Sequence, residues 1–247
     1  MSQPLPNTRL RLEIVHEDDE IVVANKAPGV VTEPGRSHAQ DTLLNAMVAR
    51  YGGKLLRLGE RRDYGLLHRL DRPTSGCVAC ALDPDAYDRV RAAFESRQVE
   101  KTYLALVRGR MRQGAQRIEL DLEERRVPSR EGTRLVSVVQ RGAKPAVTEI
   151  EPLSTSLTHT LVSCRPLTGR LHQIRVHLAH LGFPIEGEPI YATGGSIKQD
   201  SGPSERPLGL HAWKLAFGNG KRRVDATAGP SRKFVELLER AGLAWTG

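Results

Sequence analysis

Apolar and polar residues alternate along much of the chain, so a period of two is its dominant rhythm. It predicts strands at residues 10–16 and 21–25, separated by the acidic turn Glu17-Asp18-Asp19-Glu20. The short apolar run at 77–82 predicts a buried strand. Alternation returns at 99–107, where Lys101, Tyr103 and Ala105 share one face and Thr102, Leu104 and Leu106 the other. Further strands are predicted at 117–122, 134–139, 146–151 and 159–163, and a strand pair at 208–217 and 222–226. Residues 123–144, rich in charge and turn formers, read as a mobile surface loop.

A helical period interrupts the strands four times. Asp41 is the expected cap of a helix over 42–51, with Leu43, Leu44 and Met47 on one face. Asp83 followed by Pro84 marks the start of a helix reaching about Arg97, with Tyr87, Val90 and Phe94 buried. Thr168 is the expected cap of a helix over 169–181 that Gly182 ends. Ser231 caps a last helix reaching about Ala241. Lys26-Ala27-Pro28-Gly29 breaks the second strand, residues 53–64 are basic and irregular, and 192–207 form a Gly/Ser/Pro-rich loop. No repeat and no linker divides the chain. The pattern predicts one α+β domain over 1–247, with a mixed, mostly antiparallel sheet flanked by helices.

Charge adds a partner to this picture. Lysine and arginine outnumber aspartate and glutamate 37 to 29, a net charge of +8 that points to nucleic acid. Aromatic residues are only 4%, which argues against a reader of single-stranded bases built on stacking platforms. No apolar stretch approaches the roughly 20 residues of a membrane span, and residues 1–11 lack a signal-peptide core. A cytoplasmic protein is expected, and three cysteines fit a reducing compartment. Cys77 and Cys80 form a CxxC, but inside a strand they would face opposite sides, and no second pair completes a zinc site. Among His68, His172 and His177, the last two are five apart rather than the four of a helical ligand pair, so no metal is expected.

Candidate chemistry gathers in His68-Arg69-Leu70-Asp71-Arg72-Pro73-Thr74-Ser75-Gly76. One carboxylate stands between two arginines on a segment that Pro73 and Gly76 turn. In the helix after Gly169, Leu171, Ile174, Leu178 and Leu181 make an apolar stripe with Arg175 at its edge. A guanidinium so close to a buried face needs a carboxylate. Asp71 is one candidate, and spacing leaves the glutamates and other aspartates open. A cation beside Asp71 would hold it ionised, as a nucleophilic carboxylate requires.

Several segments, taken in order, resemble the RluA-type pseudouridine synthase family. Residues 12–18 and 25–29 resemble its opening strands and K-P-x-G turn, and His68-Arg69-Leu70-Asp71 with Thr74-Ser75-Gly76 its catalytic motif. Lys101-Thr102-Tyr103 resembles the K-x-Y motif, and residues 142–148 a short G-K-x-A-x-T element. Gly169-Arg170-Leu171-His172-Gln173-Ile174-Arg175-Val176-His177 resembles the G-R-T-H-Q-I-R-x-H motif. Residues 182–191 resemble G-x-P-I-x-G-D-x-x-Y, and Leu210-His211-Ala212 the late L-H-A. Leu171, Glu188 and Ala192 depart from the usual Thr, Asp and Gly, and none is expected to touch a catalytic atom. About ten residues precede the first matched strand, so no S4-type RNA-binding domain is expected.

The resemblance implies isomerisation of uridine to pseudouridine in large-subunit ribosomal RNA or transfer RNA, without metal or organic cofactor; a monomer is expected, though no residue fixes the oligomeric state. It implies Asp71 as the essential carboxylate, acting on the sugar, the base or the C2′ proton. It implies Arg175 as the partner of that carboxylate and Tyr103 as the ring that stacks on the uracil and assists removal of the C5 proton. His68 and Arg69 would meet RNA where the target base is extruded. Lys26, Arg57, Arg61, Arg62, Arg72 and Arg170 would contact phosphates. Two rivals remain at this stage. A catalytically silent RNA-binding protein has no need of Asp71, Tyr103 and Arg175 together. A metal-dependent nuclease needs clustered carboxylates or histidines, where the surroundings of Asp71 offer arginines.

Overall fold

The computed structural model describes residues 3–35, 37–129, 132–198, 207–220 and 222–246. Its strands are β1 (Ile14–Glu17), β2 (Ile21–Lys26), β3 (Ser75–Ala81), β4 (Glu100–Arg108), β5 (Gln116–Ser129), β6 (Gly132–Val139), β7 (Lys144–Thr155), β8 (His159–Pro166), β9 (Leu210–Gly218) and β10 (Arg223–Thr227). Its helices are α1 (Leu43–Leu58), α2 (Pro84–Glu95), α3 (Gln173–His180) and α4 (Arg232–Arg240). The architecture is α+β with mostly antiparallel strands. The chain forms two compact units, Met1–Glu100 with Ala212–Pro230, and Lys101–His211 with Ser231–Gly247. Among the described residues no helix is long and apolar enough to cross a membrane.

In the first unit β1, β2 and β3 run antiparallel, β9 lies beside β3, and β10 pairs antiparallel with β9. Every residue of β3 is buried, as the apolar run predicts. Cys77 and Cys80 are free thiols there, and burial pushes both up to about 12, which removes thiolate chemistry at neutral pH. The cap of α1 is Thr42 rather than Asp41. The Thr42 hydroxyl accepts from the Asn45 N–H, while Asn45 Oδ1 accepts from the Thr42 N–H at 3.1 Å. Asp41 instead pairs with His38 at 2.8 Å. The helix bends at Tyr51 and continues past Gly52-Gly53 to Leu58, because Leu55 and Leu58 are buried. A 3-10 segment, Glu60–Gly65, follows, so residues 53–64 are largely helical rather than irregular. Helix α2 starts where the sequence predicts, with Asp83 Oδ1 accepting from the N–H groups of Asp85 and Ala86, both at 3.0 Å.

In the second unit the strand order is β4-β8-β7-β5-β6, antiparallel throughout. The expected loop at 123–144 is instead mostly paired strand. Leu122↔Val139 through Ser129↔Gly132 continue the β5–β6 ladder, with Val136 and Ser137 buried in it, and among the described residues of this stretch only 140–143 form a turn. Helix α3 also differs from expectation. It begins at Gln173, because His172 is left-handed (φ 52) and the Thr168 hydroxyl is engaged by Gln173 and the Val147 N–H. Ile174 and Leu178 pack with Ala105, Ile150 and Val162, whereas Val176 and Ala179 pack with Val136, Ile190 and Tyr191. Clasped on both sides, α3 buries every residue from Gln173 to Ala179, the charged Arg175 included. Helix α4 carries the expected Ser231 cap on the Phe234 N–H. Of the predicted loop at 192–207, residues 199–206 lie outside the described residues.

Candidate active site

In the first unit, the segment that carries Asp71 is stapled to the turn after β2 from both sides. The Lys26 ammonium donates to the carbonyls of Ala27 (3.2 Å), Val30 (2.7 Å) and Arg72 (3.2 Å). The Gly29 N–H donates to the Arg72 carbonyl at 2.8 Å, and Arg72 Nε returns a bond to the Gly29 carbonyl at 3.2 Å. On the other side of Asp71, the Thr32 hydroxyl donates to the Leu70 carbonyl at 2.9 Å and accepts from the Leu70 N–H at 3.2 Å. The Thr74 N–H closes the turn on the Asp71 carbonyl at 3.0 Å. Gly76, the second residue of β3, has φ 115, and a Cβ there would stand 2.2 Å from the Ala212 carbonyl oxygen, so only glycine fits. Both neighbours of Asp71 are thus immobilised, while Asp71 itself is half-buried.

Lys26 corrects an expectation. Its side chain is fully buried and bound to three carbonyls, so it holds the loop and cannot reach a phosphate. Burial pushes its pKa down to about 7, and the nearby Asp71 charge pulls it partly back. The folded value lies below the 10.5 of an unfolded lysine. The stability contributed through this linkage is therefore complete above pH 10.5 and lost as the pH falls through about 7. Lys26→Met should flatten the rise in melting temperature between pH 7 and 10, read by circular dichroism. An unchanged profile would refute the assignment.

The other basic candidates of this unit fall into two groups. Arg69 is 70% exposed and pairs with Glu33 at 2.7 Å, and Arg57, Arg61 and Arg72 are also exposed. Arg62 turns Nε and Nη2 onto Asp88 at 3.0 and 2.9 Å. His68 is held by its neighbours. Its Nε2 accepts the Ala79 N–H at 3.1 Å and its ring stacks on Phe94 at 5.0 Å, so it braces the loop from within.

In the second unit, Tyr103 is half-buried on β4, opposite Cys164 of β8 and packed against the core that holds Ile174 and Leu178. Arg175 is 2% exposed. It meets Glu188 through two parallel bonds, Nε to Oε2 and Nη2 to Oε1, both 2.8 Å. Glu188 also accepts the N–H groups of Ile190 (2.8 Å) and Tyr191 (3.3 Å), and Arg175 Cζ lies 5.6 Å from the Tyr191 ring centre. Burial would raise the Glu188 carboxyl, but Arg175 and the Ile190 N–H hold it below the usual range. Within this unit Glu188, one of the acids that spacing leaves open, is a carboxylate partner of Arg175. This also corrects the view that the departures at 171, 188 and 192 avoid the candidate catalytic groups, since Glu188 binds Arg175 directly.

Gln173 fixes the loop before α3. Its Oε1 accepts from the Thr168 hydroxyl (2.6 Å) and the Arg170 N–H (3.0 Å), while Nε2 donates to the Val147 carbonyl and Thr148 Oγ1, both at 2.9 Å. Arg170 Nε reaches the Pro145 carbonyl at 3.2 Å. Sequence reasoning missed Glu188, Gln173 and Tyr191 as supports of the site. The only signal for them was their place inside the matched segments. Among the described residues, no group of three or more His, Cys, Asp or Glu side chains is gathered for a metal ion.

Residues 20–180 match the sequence profile of the RNA pseudouridylate synthase family. Ribosomal large subunit pseudouridine synthase D of Haemophilus ducreyi is 33% identical over 240 residues, which cover 92% of this chain and 70% of that protein. The protein of the same name from Borreliella burgdorferi is 32% identical over 218 residues, which cover 87% of this chain and 63% of that protein. Among solved structures, human RNA pseudouridylate synthase domain containing 4 superposes with a TM-score of 0.69 at 27% identity, covering 95% of each chain. The profile spans most of the chain and includes the stapled Asp71 loop, Tyr103 and Arg175; the chain belongs to the RNA pseudouridylate synthase family, and within it to the RluA type.

Proposed function

We propose that this protein isomerises uridine to pseudouridine in RNA, with large-subunit ribosomal RNA as its substrate class and transfer RNA as the second pool to test. The names of the curated relatives support the first choice. The observation that carries the reading is the Asp71 loop, pinned on both sides of its carboxylate and set beside the buried Lys26 charge. In the isomerisation the N1–C1′ bond breaks and a C5–C1′ bond forms. The C5 proton leaves and N1 of the turned ring takes one, so no oxidant, energy source or metal is required by the balance. Asp71 is the carboxylate on which detachment of the uracil depends. Tyr103 offers its ring to the base and its hydroxyl near the proton that leaves C5. Arg175, held by Glu188, is the fixed cation of this machinery. Arg57, Arg61, Arg69, Arg72 and Arg170 remain the phosphate contacts of this reading.

Tritium release from RNA carrying C5-tritiated uridine tests it, with ribosomal and transfer RNA from cells lacking the protein assayed separately. Release from ribosomal RNA is expected, and it should survive a chelator. Failure to release tritium from either pool would overturn the isomerase reading in favour of a silent RNA-binding protein. RNA fragments formed only with magnesium would favour a nuclease.

A further inference from the structure

Two described lysines, Lys26 and Lys101, are treated oppositely by their surroundings. Lys26 is saturated by three carbonyls. Lys101 is half-buried at the start of β4, and its ammonium makes no hydrogen bond or ion pair among the described residues. Burial pushes its pKa down, and no neighbouring charge opposes that push. A partly desolvated cation without a counter-charge is a cost to the fold. Fold requirements do not account for it.

Gly169 lies over this amine. Its backbone does not need glycine, since its φ is outside the left-handed region, and a Cβ would meet no clash. The nearest atom to such a Cβ would be Lys101 Nζ, 4.0 Å away. What the missing side chain leaves is open approach to the ammonium. Gln173 and Thr168 hold the loop in that place. Tyr103 lies two residues along β4 on the same face as Lys101, a separation of about 7 Å. That is comparable to the reach of one nucleotide from phosphate to base.

We propose that Lys101 binds the phosphodiester of the nucleotide whose base stacks on Tyr103, and that Gly169 is bare so that the RNA backbone can reach the amine. The proposal rests on the isomerase reading and adds the anion contact of the target nucleotide. A full negative charge is the ligand that fits, because a neutral uracil carbonyl would leave the ammonium uncompensated.

The test uses the full chain with Lys101→Met, Lys101→Arg and Gly169→Val, and the RNA on which wild type releases tritium. Lys101→Met should weaken RNA binding about tenfold at moderate salt. It should also lower the log–log salt slope by about 0.7 to 0.9, the loss of one phosphate contact. Lys101→Arg should keep the slope, and Gly169→Val should mimic Lys101→Met. Lys101→Met should melt at or above the wild-type temperature, since it removes an unpaired charge. An unchanged slope, or a lower melting temperature that marks a structural lysine, would overturn the proposal. Inorganic phosphate at tens of millimolar is the second probe. Competition as strong as that of the RNA would place a free phosphate ion, rather than a phosphodiester, in the site and overturn the RNA assignment. Wild-type tritium release on the same RNA decides the isomerase reading separately, so the two can fail independently.

Discussion

Asp71→Asn should abolish turnover while RNA binding stays within a few-fold of wild type. The substitution keeps the size of the side chain and leaves the staples from Lys26, Gly29 and Thr32 untouched, because they grip the backbone of residues 70 and 72 rather than the carboxylate. Only the negative charge and its reactivity are removed. Single-turnover tritium release, beside filter binding on the same RNA, separates the two effects. Measurable turnover by Asp71→Asn would sink the assignment. The same substitution should push the Lys26 ammonium further below about 7, since the opposing charge is gone.

Glu188→Ala should cost stability on the order of 3 kcal/mol, because it strips a bidentate carboxylate from a guanidinium buried within α3. For a chain of this size that corresponds to a melting temperature lower by on the order of 10 °C. It also frees the N–H groups of Ile190 and Tyr191. The pair is sensitive to acid as well as to mutation. The folded carboxyl lies below 4.5, so the stability it contributes is present above that value and lost as the pH falls through the lower, folded one. A melting temperature within a degree or two of wild type would show that Glu188 is not the structural counter-charge of Arg175.

Much of this was legible wherever a side chain states its own local role. Asp83-Pro84 and Ser231 placed two helix starts, and the β9–β10 pair was read from alternation alone. Elsewhere tertiary contacts overruled local signals. Gly52-Gly53 reads as a helix stop, yet Leu55 and Leu58 are drawn inward and carry α1 across it. In β5 beyond Leu122 the charged run from Glu123 to Arg126 hides the period of two that would mark a strand. The run around Asp71 was visible as a motif, but the use of Lys26 was not. Nothing in a sequence separates a lysine that reaches outward for a phosphate from one folded back onto three carbonyls. The acid that pairs with Arg175 was likewise beyond spacing, since thirteen residues and a turn separate Arg175 from Glu188.

The close approach of Gly76 to Ala212 also constrains the order of assembly. The chain leaves the first unit after Glu100 and re-enters it at Ala212. During synthesis, Asp71 and its staples can be made early, but the strand that lies against Gly76 emerges only after the whole of Lys101–His211 has been translated. Until then β3 presents an open hydrogen-bonding edge, all of whose side chains are apolar or small. The loop that carries Asp71 therefore reaches its final setting late, and β3 stays open to mispairing until Ala212 and the strand behind it have emerged.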